Sequence, residues 1–568
     1  MAIADIYVMF GRRPLPGVMR TIVLFFAVAA VGFAAYDKYG SHDSAAHTGV
    51  IRLLYAYSSN QEDLLLPLIR DFNERAPEIA GRRVEVVGES VSSGDAEAKI
   101  GARSFRPVVW SPASSLWGQL LDDRVGAEWA ASASPSLVRT PLVIAMWKPE
   151  AEALGWPTKP IGFAQILDLA TSKRGWAAYG LPTYGNFKLG HTNPDFSTSG
   201  LSFVAAEYYT ATGKKEGLTV HDIDRPQVRD QVRRVQESIV HYGDTGSFFV
   251  DQLKARGPGY ISAVAMEEVS LLDYNRTKAE GAPPLVAVYP SEGTFYFDNP
   301  LIVLHAPWVS KVQARAAASF IGWLQHRVTP ELAAGYGYRP GDLRLRPAAP
   351  IDRAHLVDPA QPRVVLGLPE PRVLAKIKRA WQADRKPANV VVVVDVSGSM
   401  QDEGKLVHAQ QGLRLFLRRF SPRDRVGLVT FANTAGVIVP LAEMRTNRHV
   451  LERSVDNLVP GGATAVYDAT LRSVNLVASL RDSTRINAVV VLTDGEDNKS
   501  VLSSTQLLSE LQRRSESDVG TVRVFTIAYG KDANGDVLTS IAAASGGKEY
   551  TGDPAEIAVV YRQISSFF

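Results

Sequence analysis

The sequence predicts an α/β protein of two successive units, the second a doubly wound sheet, behind an apolar N-terminal segment. Three observations carry this reading. Strand and helix patterns alternate from residue 51 to about 345, five consecutive valines at 390–394 open a second alternating series, and residues 21–36 are apolar and uncharged. Alternation of this kind means mostly parallel sheets with helices on their faces. A near-continuous apolar strand is what a parallel strand covered on both sides looks like.

The apolar run Thr21 to Tyr36 (TIVLFFAVAAVGFAAY) follows Arg12, Arg13 and Arg20. It is shorter than the ~20 residues that cross a bilayer untilted, but Gly17, Val18 and Met19 extend it if Arg20 snorkels to the interface. The positive side is expected to stay in the cytoplasm (residues 1–20), with everything after Asp37 exported. Gly32-Phe33-Ala34 also offers small residues for signal-peptide cleavage. Either way the bulk of the chain is expected to be periplasmic or extracellular, anchored to the membrane if the segment is kept. Residues 37–50 are a polar spacer.

Composition narrows the function classes. At roughly 150 residues per domain, 568 residues mean three or four lobes. With 46% hydrophobic residues the chain has ample core. Lys+Arg 62 against Asp+Glu 59 excludes a nucleic-acid binder, which needs a concentrated basic stripe. Without cysteine there is no disulfide, zinc-thiolate site, iron–sulfur cluster or cysteine nucleophile.

In the first unit, Ile51 to Tyr57 reads as a strand, and Leu64, Leu65, Leu68, Ile69 and Phe72 follow at helical spacing. Val84 to Val87 and Pro107 to Trp110 are further strands. Three hydroxyl-bearing loops open helices: Ser58 and Ser59; Ser114 and Ser115; and Ser197, Thr198, Ser199 and Gly200. A helix N-terminus with free N–H groups and a hydroxyl is a ready anion site. Ordinary helix capping is the competing reading. Residues 346–386 form a linker, Pro- and Arg-rich at first. It holds a short helix, Arg372 to Gln382, whose Lys376, Lys378 and Arg379 are expected on a solvated face.

The second unit, 387–568, holds the strongest constellation. The valine strand ends in Asp395-Val396-Ser397-Gly398-Ser399, Gly461-Gly462-Ala463-Thr464 opens a helix, and Thr493-Asp494-Gly495 ends another strand. In an open α/β sheet these three segments meet at the carboxyl edge. Asp395, Ser397, Ser399, Thr464 and Asp494 are all hard oxygen donors, suited to Mg²⁺, or to Mn²⁺ or Ca²⁺, rather than zinc or copper.

At these five residues the chain resembles a von Willebrand factor type A domain with a metal-ion-dependent adhesion site. The resemblance implies a Rossmann-like fold and divalent-metal-dependent binding of a protein ligand that offers an Asp or Glu to the metal, and no catalysis. Residues 51–345 resemble the two-lobed, class II, periplasmic-binding-protein-like extracellular solute-binding proteins. That resemblance rests on Tyr57-Ser58-Ser59, Trp110 to Ser115, His191 to Pro194 with Ser197 to Gly200, Glu268 to Asn275, and Tyr289 to Thr294. It implies a second lobe, about 140–284, inserted into the first, and a small oxyanion or organic anion between them.

Three function classes follow. The first is an envelope-anchored binding protein, the second the substrate-binding component of an ABC-type importer, and the third a metal-dependent hydrolase. The sequence has no HExxH, P-loop or Gly-x-Ser-x-Gly elbow. His191, nearest a candidate site, is expected to be a structural hydrogen-bonder. The chain therefore reads as a binding protein rather than an enzyme.

Overall fold

The computed structural model describes residues 49–130, 134–515 and 521–568. The segment 21–36 and its flanks lie outside the described residues. Among the described residues, no helix is long and apolar enough to cross a membrane.

The first sheet runs in the order Ile302–Val303, Val109–Ser111, Val50–Tyr57, Arg82–Ser90, Glu78–Ile79. Its centre, Val50–Tyr57, is parallel to both neighbours, as the alternation predicts. Helix Glu62–Glu74 lays Leu64, Leu65, Leu68, Ile69 and Phe72 into that sheet's core. The second sheet is mixed. Its long strand Val138–Trp147 is antiparallel to Ala263–Glu267, Leu285–Val288, Tyr296–Phe297 and Arg339–Pro340. The expectation of mostly parallel pairing therefore fails in this lobe. An apolar run signals burial but not direction, and the two-residue strands that return to Val138–Trp147 carry no period of their own.

The linker is packed rather than free. Thr294 N donates to Val364 O and Leu366 N to Thr294 O. Helix Pro371–Asp384 buries Val373, Leu374, Ile377, Ala380 and Trp381. Trp381 Nε1 donates to Gln236 Oε1 at 3.1 Å, and Arg229 grips Asp384 at 2.6 and 2.7 Å. Its basic face is also not simply solvated. Lys376 lies 2.6 Å from Asp224 and Lys378 3.2 Å from Asp195, both ion pairs with the lobe. Helical spacing shows which residues share a face, but not what chain lies against it.

The third sheet has the order Ala435–Glu443, Arg425–Phe431, Ala388–Asp395, Ile486–Thr493, Val522–Tyr529, Glu549–Gly552. All pairs are parallel except the first. The five valines alternate between two cores. Val390, Val392 and Val394 pack with Leu413 and Phe416, while Val391 and Val393 pack with Val466 and Val474. Both faces are covered, which is why no polar residue interrupts the strand. The sequence reading had no counterpart for the strands Ala435–Glu443 and Glu549–Gly552 or for helix Met444–Asp456. The first strand lies at the sheet edge, where Pro440 is tolerated and the apolar signal is weak.

This unit docks on both lobes. Arg562 pairs with Asp95, on helix Ser93–Gly101 beside the first sheet. Lys548 Nζ donates to Asp244 at 2.5 Å, just past strand Ile239–Gly243 of the second. Phe567 packs edge-on to Phe248, with ring centroids 4.9 Å apart.

Candidate metal centre

The two most buried strands of the third sheet deliver their terminal aspartates to one edge. Asp395 ends Ala388–Asp395, Asp494 follows Ile486–Thr493, and both are 0% exposed. Asp395 Oδ1 accepts from Ser397 N (2.8 Å) and Oδ2 from the Thr493 hydroxyl (2.6 Å). Ser399 Oγ donates to Asp494 Oδ1 at 2.8 Å and lies 3.1 Å from Ser397 Oγ. The loop carrying Thr464 is held against the same edge. Gly461 N donates to Val396 O (2.7 Å), Gly398 N to Gly462 O (3.0 Å), and Thr464 N to Asn498 Oδ1 (2.8 Å). Gly462 has φ +92°, a left-handed turn that suits glycine. A Cβ on Gly495 would stand 3.7 Å from Thr464 Oγ1 and 4.0 Å from Ser399 Oγ. The structure thus brings all five predicted residues together.

It also adds one that the motif reading did not name. Lys405 Nζ donates to Asp494 Oδ2 at 2.8 Å and lies 3.5 Å from Asp532. It sits in the first turn of helix Lys405–Leu417, 4% exposed, and its carbonyl accepts from the Tyr529 hydroxyl at 2.7 Å. A lysine in a helix's first turn opposes the macrodipole, and that misfit is the signal in the sequence. Burial alone would lower the Lys405 pKa, but the bond to Asp494 and the charge of Asp532 raise it above its ordinary value. Burial pushes Asp395 up to about 6. The bonds from Thr493 and Ser397 oppose the rise and the charge of Asp494 adds to it.

Two carboxylates and three hydroxyls around Gly495 fit a hard divalent cation that keeps part of its water. Among the described residues, no group of three or more His, Cys, Asp or Glu is placed to hold a metal. A cation here therefore depends on Ser397, Ser399 and Thr464 as much as on the acids. The charge buried at the site is set by Asp395, Asp494 and the counter-charge Lys405, with the exposed Asp532 3.5 Å from the ammonium.

The other predicted loops separate. Ser58, Ser59, Ser197 and Thr198 line a cavity of about 300 Å³ between the lobes. Ser114, Ser115, Ser199 and Gly200 do not. Ser115 N is engaged by Asp298 Oδ1 (2.8 Å), and Ser199 Oγ by Thr192 Oγ1 (2.9 Å). A Cβ on Gly200 would meet Thr192 O at 1.9 Å, so that glycine serves helix–strand packing. Hydroxyls alone did not reveal the cavity's charge. Glu62, Asp63, Asp244, Glu267 and Asp273 line it, against a single Arg276 that pairs with Asp273 at 2.8 Å. This lining does not suit the expected anion. Burial pushes Glu267 up to about 7. His191 is structural, bonded to Thr192 O (2.7 Å) and Gln236 Oε1 (3.1 Å).

Residues 389–556 match the family model of the von Willebrand factor type A domain. Two uncharacterized proteins from strains of Mycobacterium tuberculosis are each 24% identical over 468 residues, 78% of this chain and 64% of theirs. The chain thus spans 64% of the length of these curated relatives. Among solved structures, a von Willebrand factor type A protein from Catenulispora acidiphila is 22% identical. It covers 32% of this chain and 42% of its own, with TM-score 0.29. A periplasmic thiamin binding protein is 14% identical and covers 60% of this chain and 98% of its own, with TM-score 0.41. By the family match, the C-terminal unit of this chain is a von Willebrand factor type A domain.

Proposed function

We propose that this protein is an envelope-anchored, extracytoplasmic binding protein. In this reading its type A domain captures a protein partner through a divalent cation, Mg²⁺ before Mn²⁺ or Ca²⁺. The observation that carries the reading is the meeting of Asp395, Ser397, Ser399, Thr464 and Asp494 at one sheet edge. Ser397, Ser399 and Thr464 would hold the cation directly, and the two aspartates would balance its charge. A partner's Asp or Glu would complete the coordination. The exported location rests on the charge asymmetry around residues 21–36. The interlobe cavity would take a small polar ligand beside Glu267. An importer's substrate-binding component is the second reading, and that cavity favours it. Against it, Arg562–Asp95 and Lys548–Asp244 tie the C-terminal domain to both lobes, so opening the cleft strains one pair or the other. Capture of partners from solubilised membranes by the full chain, in Mg²⁺ and in chelator, tests the proposal. Capture lost in chelator and in Asp395→Ala supports it, and capture that survives both overturns it.

A further inference from the structure

The opposite edge of the same sheet carries a second, unrelated set of charges. A cavity of about 740 Å³ lies between the second lobe and the type A domain. The lobe lends it Lys188, whose Nζ donates to Gly259 O at 3.0 Å, with Arg256 and Tyr260; the end of the linker lends it Lys386, and the domain Arg485 and Arg523. Lys386, Arg485 and Arg523 sit at the amino ends of strands. Lys386 stands just before Ala388–Asp395, Arg485 just before Ile486–Thr493, and Arg523 at the start of Val522–Tyr529. The candidate metal centre occupies the carboxyl ends, so the two sites share no residue.

Arg485 has its charge met by Asp482 (3.4 Å) and Glu443 (3.6 Å). Among the described residues, Arg256, Lys386 and Arg523 have no carboxylate within ion-pair distance. Arg523 is only 7% exposed, and its Nε is buried with no hydrogen-bond partner. Its guanidinium lies 5.7 Å from the Tyr260 ring centre and that of Arg256 lies 5.9 Å from it, so both cations converge on one ring. Tyr260 cannot serve as their counter-charge. Burial holds its pKa up to about 12, and its hydroxyl donates to His241 Nε2. Burial, and then the charge of Arg523, hold Lys386 down to about 8.

Three like charges around one partly dehydrated cavity are costly unless an anion joins them. Two guanidiniums offer planar forks that match phosphate-type oxygens two at a time, and an ammonium adds a point charge. We propose that this cavity binds a small multivalent oxyanion of the phosphate class, bridging the second lobe and the type A domain through Arg256, Lys386 and Arg523.

The test uses the full chain in detergent with chelator present, so that the metal centre plays no part, and inorganic pyrophosphate and tripolyphosphate as probes. Thermal shift and calorimetry should show saturable stabilisation by both, with KCl at matched ionic strength giving none. Arg256→Gln and Lys386→Gln, both at partly exposed positions, should each weaken pyrophosphate binding by about tenfold or more, the loss of one charge-assisted contact. Arg523→Gln should abolish it, although the decision rests on the other two because Arg523 is buried. Asp395→Ala should leave the binding intact, which separates this site from the metal reading. No saturable response, or a response unchanged in both Arg256→Gln and Lys386→Gln, overturns the proposal.

Discussion

Lys405 Nζ and Asp494 Oδ2 stand 2.8 Å apart, both residues almost wholly buried, at the edge where the five candidate metal donors meet. The ammonium already neutralises one of the two aspartates. A divalent cation therefore meets buried groups carrying one net negative charge, not two, and shares Asp494 with an internal competitor.

Replacing Lys405 by Met leaves Asp494 buried without its counter-charge. Breaking one side of a buried pair costs roughly 3–5 kcal/mol, so the metal-free variant should melt well below the wild type. Mg²⁺ should then stabilise the variant more than it stabilises the wild type. Thermal melts with and without Mg²⁺ measure both effects. Equal Mg²⁺ shifts in the two chains would mean that Lys405 does not sense the cation.

Arg385 and Asp424 form a second buried pair, which joins the linker helix to the type A domain. Arg385 donates to both Asp424 oxygens (3.3 and 2.7 Å), Ala388 N donates to Oδ1 (2.8 Å) and Ser421 N to Oδ2 (2.6 Å). Asp424→Ala strands a buried guanidinium and two backbone donors, and should cost roughly 3–5 kcal/mol in chemical denaturation. Mg²⁺ affinity should be retained, because the pair lies at the amino end of strand Ala388–Asp395.

Glu150 is fully buried, and burial holds its pKa up to about 9. The folded chain keeps a proton there that the unfolded chain loses above about 4.5. Stability therefore falls as pH rises from about 4.5 toward 9. Glu150→Gln removes this dependence and should gain roughly 2–4 kcal/mol at pH 8, with little change at pH 4. Melting curves across that range check the slope. A variant less stable than wild type at pH 8 would contradict it.

Asp497, three residues past Asp494, accepts from Tyr467 N (3.2 Å), Ser500 Oγ (2.5 Å) and Ser500 N (3.1 Å). It pins the start of helix Val466–Ala478 and bonds none of the five donors. Asp497→Ala should cost about 1 kcal/mol, as loss of a helix cap does, and leave Mg²⁺ binding unchanged.

The metal edge was legible because each donor stands beside a local signal: Asp395 ends a run of valines, Thr464 follows two glycines, and Asp494 follows a buried strand. Lys405 was only half legible: its misfit in a helix's first turn marks it as unusual, but nothing local names its partner, which lies 89 positions away. The hydroxyl loops misled in the opposite direction. Ser114 and Ser199 have the composition of anion sites, yet neither lines the interlobe cavity, and that cavity's carboxylates come from four separated stretches of chain. The basic amino edge was invisible for the same reason. Arg256 and Arg523 are 267 positions apart in sequence, and only the docking of domain on lobe brings both to Tyr260.

Calorimetric titration of Mg²⁺ into the full chain in detergent, beside Asp395→Ala and Asp497→Ala, tests the central claim most directly. One saturable site in the wild type and in Asp497→Ala, lost in Asp395→Ala with the fold retained by circular dichroism, is the predicted result. No saturable Mg²⁺ or Mn²⁺ binding to the wild type, or binding undiminished in a folded Asp395→Ala chain, would contradict it.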